Sequence, residues 1–239
     1  TILSIYGDQK KRKNVIDKNK IMFKEELKEH LSSSLGQFKT RQLKPTDNKL
    51  RAAVAIIVTN LGKGANLNDM PRFSNNQHDA ALVLTRRSRE LKRHAGQWSF
   101  PGGRIENTET PMSAALRETS EEIGIKLRES DALGYLDDFI TRSGFLITPV
   151  VFWGRESMPY VLNFEVESIH CIPISEFLRS DSPVLEDTAD SERKILKMRV
   201  GDDWIAAPTA AMLYQFREVC IFRRNTRVAH FEQPKFAWT

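Results

Sequence analysis

The sequence has 239 residues, 36 Lys and Arg against 31 Asp and Glu, and a hydrophobic fraction of 40% that includes 13 Phe and 4 Trp. This excludes a disordered chain and fits one large domain or two small ones. No apolar run approaches the length of about 18 residues that a membrane-spanning helix needs, and two cysteines, Cys171 and Cys220, cannot supply a disulfide framework or a four-ligand zinc site.

Two lone thiols point to a reducing, cytoplasmic compartment, and the first residues show no apolar leader-type stretch. The net charge of +5 is unevenly spread. Residues 1–51 carry 13 basic and 6 acidic side chains, and the remainder 23 and 25. Residues 1–49 are therefore expected as a basic, partly helical extension, with a domain over 50–239. Within the extension, Met22, Leu27, Leu31 and Leu35 lie close to helical spacing and predict a helix over 21–35. A linker follows at Leu43 to Asn48.

The β-branched run Arg51 to Thr59 predicts a buried strand, and Ala80 to Thr85 a second. Between them, Asn, Gly and Asp predict a loop. Phe100-Pro101-Gly102-Gly103 predicts a sharp bend. Thr110-Pro111 opens a helix as N-cap and first helical residue, and Gly124 closes it. Strands are expected at 132–140, 145–153 and 166–173, a short helix at 175–180, an acidic loop at 181–193, and helical spacing at 209–220. Strands interleaved with two well-separated helices indicate an α/β or α+β domain. The aromatic tail Phe231 to Trp238 is apolar enough to pack back on the domain or on a second copy, which leaves a homodimer open.

On the helix 111–123, at roughly 100° per residue, Met112, Ala115, Leu116, Thr119 and Ile123 form a core stripe. Glu118, Glu121 and Glu122 occupy another arc at i, i+3 and i+4. Like charges at this spacing repel. A divalent cation with a taste for hard oxygen ligands, Mg²⁺ or Mn²⁺, would reverse that sign. A merely solvated acidic face is the plain alternative.

The surrounding pattern favours the cation. Gly103, five residues, Glu109, seven residues, then Arg117-Glu118-Thr119-Ser120-Glu121-Glu122-Ile123-Gly124-Ile125 resembles the Nudix box, with Thr119 where an aliphatic residue is usual. The resemblance implies a Nudix-type α/β/α sandwich with a central mixed sheet. It also implies metal-dependent hydrolysis of a nucleoside diphosphate linked to another moiety. Glu118, Glu121, Glu122 and the Gly102 carbonyl would hold Mg²⁺ or Mn²⁺, and Arg117 would orient a carboxylate. Gly103, Glu109 and Gly124 would support the box structurally. One of the box glutamates or a loop carboxylate would activate water.

Upstream, Leu82-Val83-Leu84-Thr85-Arg86-Arg87-Ser88, Lys92, Gly96 and Phe100-Pro101-Gly102-Gly103 are similar to the extra motif of the coenzyme A diphosphatase branch. Val83 replaces Leu and Lys92 replaces Arg. Residues 86–104 also carry six cations against Glu90 alone, suited to a phosphate-rich substrate. Arg87, Lys92, Gln97 and Arg104 are the expected substrate contacts, and Glu165 a second-site base or ligand. Near 205–210, Ile205-Ala-Ala-Pro208 stands where the branch has a Trp-Gly pair before Thr209-Ala210.

The expected partner is thus a small nucleotide of coenzyme A type. ADP-ribose, NADH or a nucleoside triphosphate is the nearest rival substrate. A non-catalytic nucleotide-binding module is disfavoured by the three intact glutamates. Nucleic acid is disfavoured because the basic segment lacks interleaved aromatics.

Overall fold

The computed structural model describes residues 21–235 apart from 45–49, 62–63, 66, 69, 71–77, 156–159 and 190. The expected linker and loop at 45–49 and 71–77, the first twenty residues and the last four lie outside the described residues. Among those described, no helix is long and apolar enough to cross a membrane.

The central sheet is built on strand β1 (Leu50–Asn60), whose residues from Ala52 to Asn60 are all buried. An unbroken apolar run of this kind has to be covered on both faces, and it is. Strand β7 (Phe145–Trp153) runs parallel to β1 from Leu50↔Phe145 to Val58↔Trp153. On the other edge β2 (Ala80–Arg87) pairs antiparallel with β1, and β8 (Val166–Pro173) pairs antiparallel with β2. Short strands β3 (Trp98–Ser99) and β4 (Gly102–Arg104) add to β2 and β1, while β5 (Ala132–Tyr135) and β6 (Phe139–Ile140) add to β7.

Alternation along β1 divides the core. Ala53, Ala55 and Ile57 pack with Ala114, Ala115 and Ile123 of helix α2 (Pro111–Ile123). Val54, Ile56 and Val58 face helices α1 (Glu25–Gln37) and α3 (Thr209–Phe216). The result is the expected α/β/α sandwich with a mixed sheet.

Three expectations change. The acidic stretch expected as a loop over 181–193 holds β9 (Val184–Thr188) and the start of β10 (Ser191–Val200). These pair antiparallel, and β11 (Asp203–Ala206) completes a second, three-stranded sheet. The exposed charges of β9 obscured its strand character, because neither face of it is buried. The helical spacing at 209–220 resolves into α3 and a π-helical turn at Arg217–Ile221. The short helix expected at 175–180 is a 3-10 turn at Ile174–Leu178.

The expected basic extension is, through α1, packed on the core. Leu27, Leu31 and Leu35 are buried, and Phe23 stacks on Trp153 with ring centroids 4.1 Å apart. The chain beyond α1 is fastened by two adjacent aspartates: the Arg41 N–H donates to Asp137 at 2.7 Å and the Leu43 N–H to Asp138 at 2.7 Å.

The tail folds back on the domain as far as it is described. Phe231 packs edge-on against Tyr214. The buried Glu232 carboxylate accepts from Arg142 Nε at 2.8 Å and again from its Nη2, and from the Gln233 N–H at 2.9 Å. The Arg142 guanidinium pulls the Glu232 carboxyl down to about 2 from an ordinary 4.5. A depressed acid stabilises the fold above its unfolded pKa and loses that contribution as pH falls through the folded value. Glu232 should therefore stabilise fully above pH 4.5 and fade toward pH 2. Arg142→Ala strands the buried carboxylate. Because Arg142 is half exposed, the cost at pH 7 should fall below that of breaking a fully buried pair. Urea midpoints at pH 7 and pH 3 check this: the gap between parent and variant should narrow in acid.

Candidate active site

Helix α2 begins with a closed cap. Thr110 Oγ1 accepts from the Ser113 N–H at 3.1 Å, and Ser113 Oγ accepts from the Thr110 N–H at 2.9 Å, with Pro111 at the first helical position. It ends at Gly124, left-handed at φ 71°, whose added Cβ would lie 3.0 Å from the Val161 nitrogen. Thr119, on the core stripe, is fully buried, and its hydroxyl donates to the Ala115 carbonyl at 2.7 Å. The departure from an aliphatic residue therefore leaves no polar atom stranded.

The bend before the helix brings two glycines against neighbours that leave no room for a side chain. A Cβ on Gly102 would sit 2.3 Å from the Ala53 carbonyl oxygen, and one on Gly103 would sit 2.3 Å from Glu118 Oε1. The Glu118 carboxylate thus occupies the space that Gly103 vacates. The Gly102 N–H donates to Glu122 Oε2 at 3.0 Å.

Arg117 joins the box together. It grips Glu109 through both Nε at 2.8 Å and Nη2 at 3.0 Å. Its Nη1 reaches Glu118 at 2.9 Å and Glu121 at 3.0 Å, and its Nη2 donates to the Arg104 carbonyl at 3.0 Å. The Arg117 hydrogen bonds hold the Glu109 carboxyl below its usual range.

Burial separates the three glutamates expected as neighbours. Glu122 is buried and Glu118 nearly so, whereas the Glu121 side chain is 57% exposed and turned to Arg117. Helical spacing alone could not show this, because it carries no information about which arc the Gly102–Gly103 bend covers. Among the described residues, no three His, Cys, Asp or Glu side chains converge as a ready-made metal cluster.

The electrostatics nonetheless fit a divalent cation. Burial pushes the Glu122 carboxyl up to about 7, the negative charges of Glu118 and Glu165 push the same way, and the Gly102 N–H and Arg87 oppose them. Glu118 is raised by burial and by the charges of Glu121 and Glu165, against the pull of Arg117. Partly desolvated carboxylates that repel one another are hard oxygen donors whose repulsion a divalent cation offsets.

These groups open on a cavity of about 470 Å³. Of the residues expected from sequence, Arg87, Gln97, Gly102, Gly103, Arg104, Glu118, Glu122 and Glu165 all line it. Lys92 is exposed on the loop outside it, and Arg117, Glu109, Glu121 and Gly124 stand behind or beside it. Arg87 lies 3.6 Å from Glu165, and its buried Nε–H has no hydrogen-bond partner. Arg87 as a residue lines the cavity, where a guanidinium suits an anionic ligand. His94, also on the wall, is held below its ordinary pKa by burial and by Arg87, so it is uncharged at neutral pH.

The apolar side of the cavity was not foreseen. Phe145, Ile147 and Met212 line it, with Thr141 and Ser143 at its edge, and the Arg104 guanidinium lies 5.5 Å from the Phe145 ring centroid. Phe145 and Ile147 face the cavity through the parallel register that sets Phe145 beside Leu50 and Ile147 beside Ala52. Nothing local in the sequence announces that pairing.

Residues 70–180 match the family model described as NUDIX domain. The chain is 37% identical over 124 residues to "Uncharacterized Nudix hydrolase NudL" of Cronobacter sakazakii, a match covering 46% of this chain and 65% of the relative. It is 38% identical over 132 residues to "Peroxisomal coenzyme A diphosphatase ndx-8" of Caenorhabditis elegans, covering 47% of this chain and 56% of that one. Both matches thus span less than two thirds of the relatives' own length. A solved MutT/nudix family protein from Enterococcus faecalis overlays with a TM-score of 0.47 at 16% identity, over 82% of this chain and 73% of that one. With the box matched from Gly103 to Ile125 and Glu118 and Glu122 opening on one cavity, residues 70–180 carry a NUDIX domain.

Proposed function

We propose that this chain is a divalent-metal-dependent pyrophosphohydrolase acting on coenzyme A or its derivatives, releasing 4′-phosphopantetheine (or its acyl form) and adenosine 3′,5′-bisphosphate. The carrying observation is that a single cavity joins the carboxylates Glu118 and Glu122 to the cations Arg87 and Arg104. The similarity to a relative named as a coenzyme A diphosphatase and the motif around Arg87 and Gly96 support the substrate. The two free cysteines fit a reducing, cytoplasmic setting.

In this reading Glu118, Glu122 and the Gly102 carbonyl would hold Mg²⁺ or Mn²⁺, with Glu121 beside the cavity on Arg117. A divalent cation, when bound, neutralises pyrophosphate oxygens and lowers the pKa of bound water. Arg87, on the cavity wall, binds a phosphate oxygen, and Gln97 and Arg104 position the rest of the ligand. Glu165, close enough to Glu118 and Glu122 to raise both carboxyls, takes the proton as water attacks phosphorus and the bridging P–O bond breaks. Arg117 touches no substrate: it is a positioning residue that sets the rotamer of Glu118. The apolar wall at Phe145 and Met212 accommodates the less polar arm of the substrate.

Product identification decides the substrate. After incubation with Mg²⁺ or Mn²⁺, coenzyme A and acetyl-CoA should each yield adenosine 3′,5′-bisphosphate, with kcat/KM at least tenfold above those for ADP-ribose and NADH. A wide margin in favour of ADP-ribose would sink the substrate assignment while leaving the hydrolase reading in place.

A further inference from the structure

Two residues other than glycine in the described structure have a left-handed backbone, His94 at φ 54° and Arg223 at φ 55°. A side chain other than glycine, Asn or Asp meets this region at a steric cost, so its persistence points to work that a glycine could not do. His94 lines the catalytic cavity. Arg223 lines a different one, of about 360 Å³, between the end of α1 and the turn that follows the π-helical segment.

Arg223 stands where that segment closes. The Phe222 N–H donates to the Arg217 carbonyl at 3.1 Å, and the Arg224 N–H reaches back to the Glu218 carbonyl at 2.8 Å. Glycine is the usual left-handed residue at such a closure. Here the closure holds up an exposed guanidinium.

The charge around this cavity is one-sided. Lys39, Arg223 and Arg224 line it, and no Asp or Glu does. Arg224 is neutralised by Glu218 at 2.9 Å. Arg227, beside the cavity on the Phe38 ring, is neutralised by Asp137. Lys39 and Arg223 have no acidic partner among the described residues. Gln37 and Asn225 contribute neutral donors, and Phe38 an apolar wall. The volume falls in the range of small-molecule sites.

We propose that this cavity is a second ligand site, separate from the catalytic one, that binds a phosphorylated small molecule. Arg223 and Lys39 take the phosphate oxygens, and the organic part lies against Phe38. The site is built jointly by α1 and the last helical segment, so it exists only while the N-terminal residues stay docked.

Isothermal titration of the full chain with inorganic pyrophosphate, in EDTA, tests this. Without divalent ions the carboxylates of the catalytic cavity disfavour the anion. The parent should show one saturable binding event. Arg223→Gly should weaken it at least tenfold while holding or raising the melting temperature, because glycine relaxes the left-handed position. Lys39→Ala should weaken it as well. Arg87→Ala, in the catalytic cavity, should leave it within twofold, and hydrolysis by Arg223→Gly should stay within twofold of the parent. The proposal is overturned if the parent shows no binding at millimolar pyrophosphate, if Arg223→Gly binds like the parent, or if Arg87→Ala alone abolishes binding.

Discussion

Glu122→Gln should lose hydrolysis by about a hundredfold or more, yet leave the metal-free protein at least as stable as the parent at pH 8. The two effects share one cause. The Glu122 carboxylate is buried and pushed up to about 7, by desolvation first and by the Glu118 and Glu165 charges second. Below pH 4.5, its ordinary value, both folded and unfolded chains hold the proton and the group is silent. Between pH 4.5 and 7 the folded chain keeps a proton that the unfolded chain has released, so stability falls as pH rises. Above pH 7 the full penalty applies, on the order of 3 kcal/mol as an upper bound. Gln is neutral throughout and can still accept from the Gly102 N–H, which donates to Oε2 at 3.0 Å in the parent. Urea unfolding in EDTA at pH 5 and pH 8 measures the difference between variant and parent, which should grow in the variant's favour. An inactive variant that is also less stable at pH 8 would mean that Glu122 serves the fold rather than a cation.

The box residues were legible because the box is local. Cap, helix, closing glycine and glutamates all lie between Gly103 and Ile125, so 3.6-residue periodicity and turn chemistry suffice to place them on one element. Which glutamate is buried was not legible, since it depends on the approach of Gly102 and Gly103, set by the β4–β1 register Val54↔Gly102. Phe145 was hidden for the same reason: it reaches the cavity through a parallel pairing with residues almost a hundred positions away. Asp137 and Asp138 fall inside the strand expected at 132–140, between what are β5 and β6. They are in fact anchors for backbone N–H groups of residues 41 and 43, a role that needs the two ends of a long connection to be seen together. Lys92 belongs to the upstream motif by spacing, but its loop carries it out of the cavity.

The N-terminal segment illustrates how charge can mislead. Its excess of basic residues set it apart as an extension, while the few apolar residues that matter lie on a single stripe. Leu31 on that stripe is fully buried in the larger core cluster. Beneath α1 lie β5, whose Gly134 would place a Cβ 3.1 Å from Leu35, and the π-helical turn, where His30 Nε2 meets the Ile221 carbonyl at 3.2 Å. We therefore expect residues 21–44 to fold in one cooperative unit with the rest. Leu31→Ala removes the buried branched side chain and leaves a cavity, at a cost of about 3 kcal/mol, or roughly 6–12 °C in melting temperature for a domain of this size. Leu43→Ala, at a position 42% exposed, should stay within about 0.5 kcal/mol. Because α1 contributes no side chain to the candidate active-site cavity, kcat per folded molecule should be unchanged in both, and the Leu31 variant should still melt in a single transition. A Leu31→Ala protein that melts with the parent, or a parent whose helix signal is lost before the tertiary signal, would show that the segment is an appendage after all.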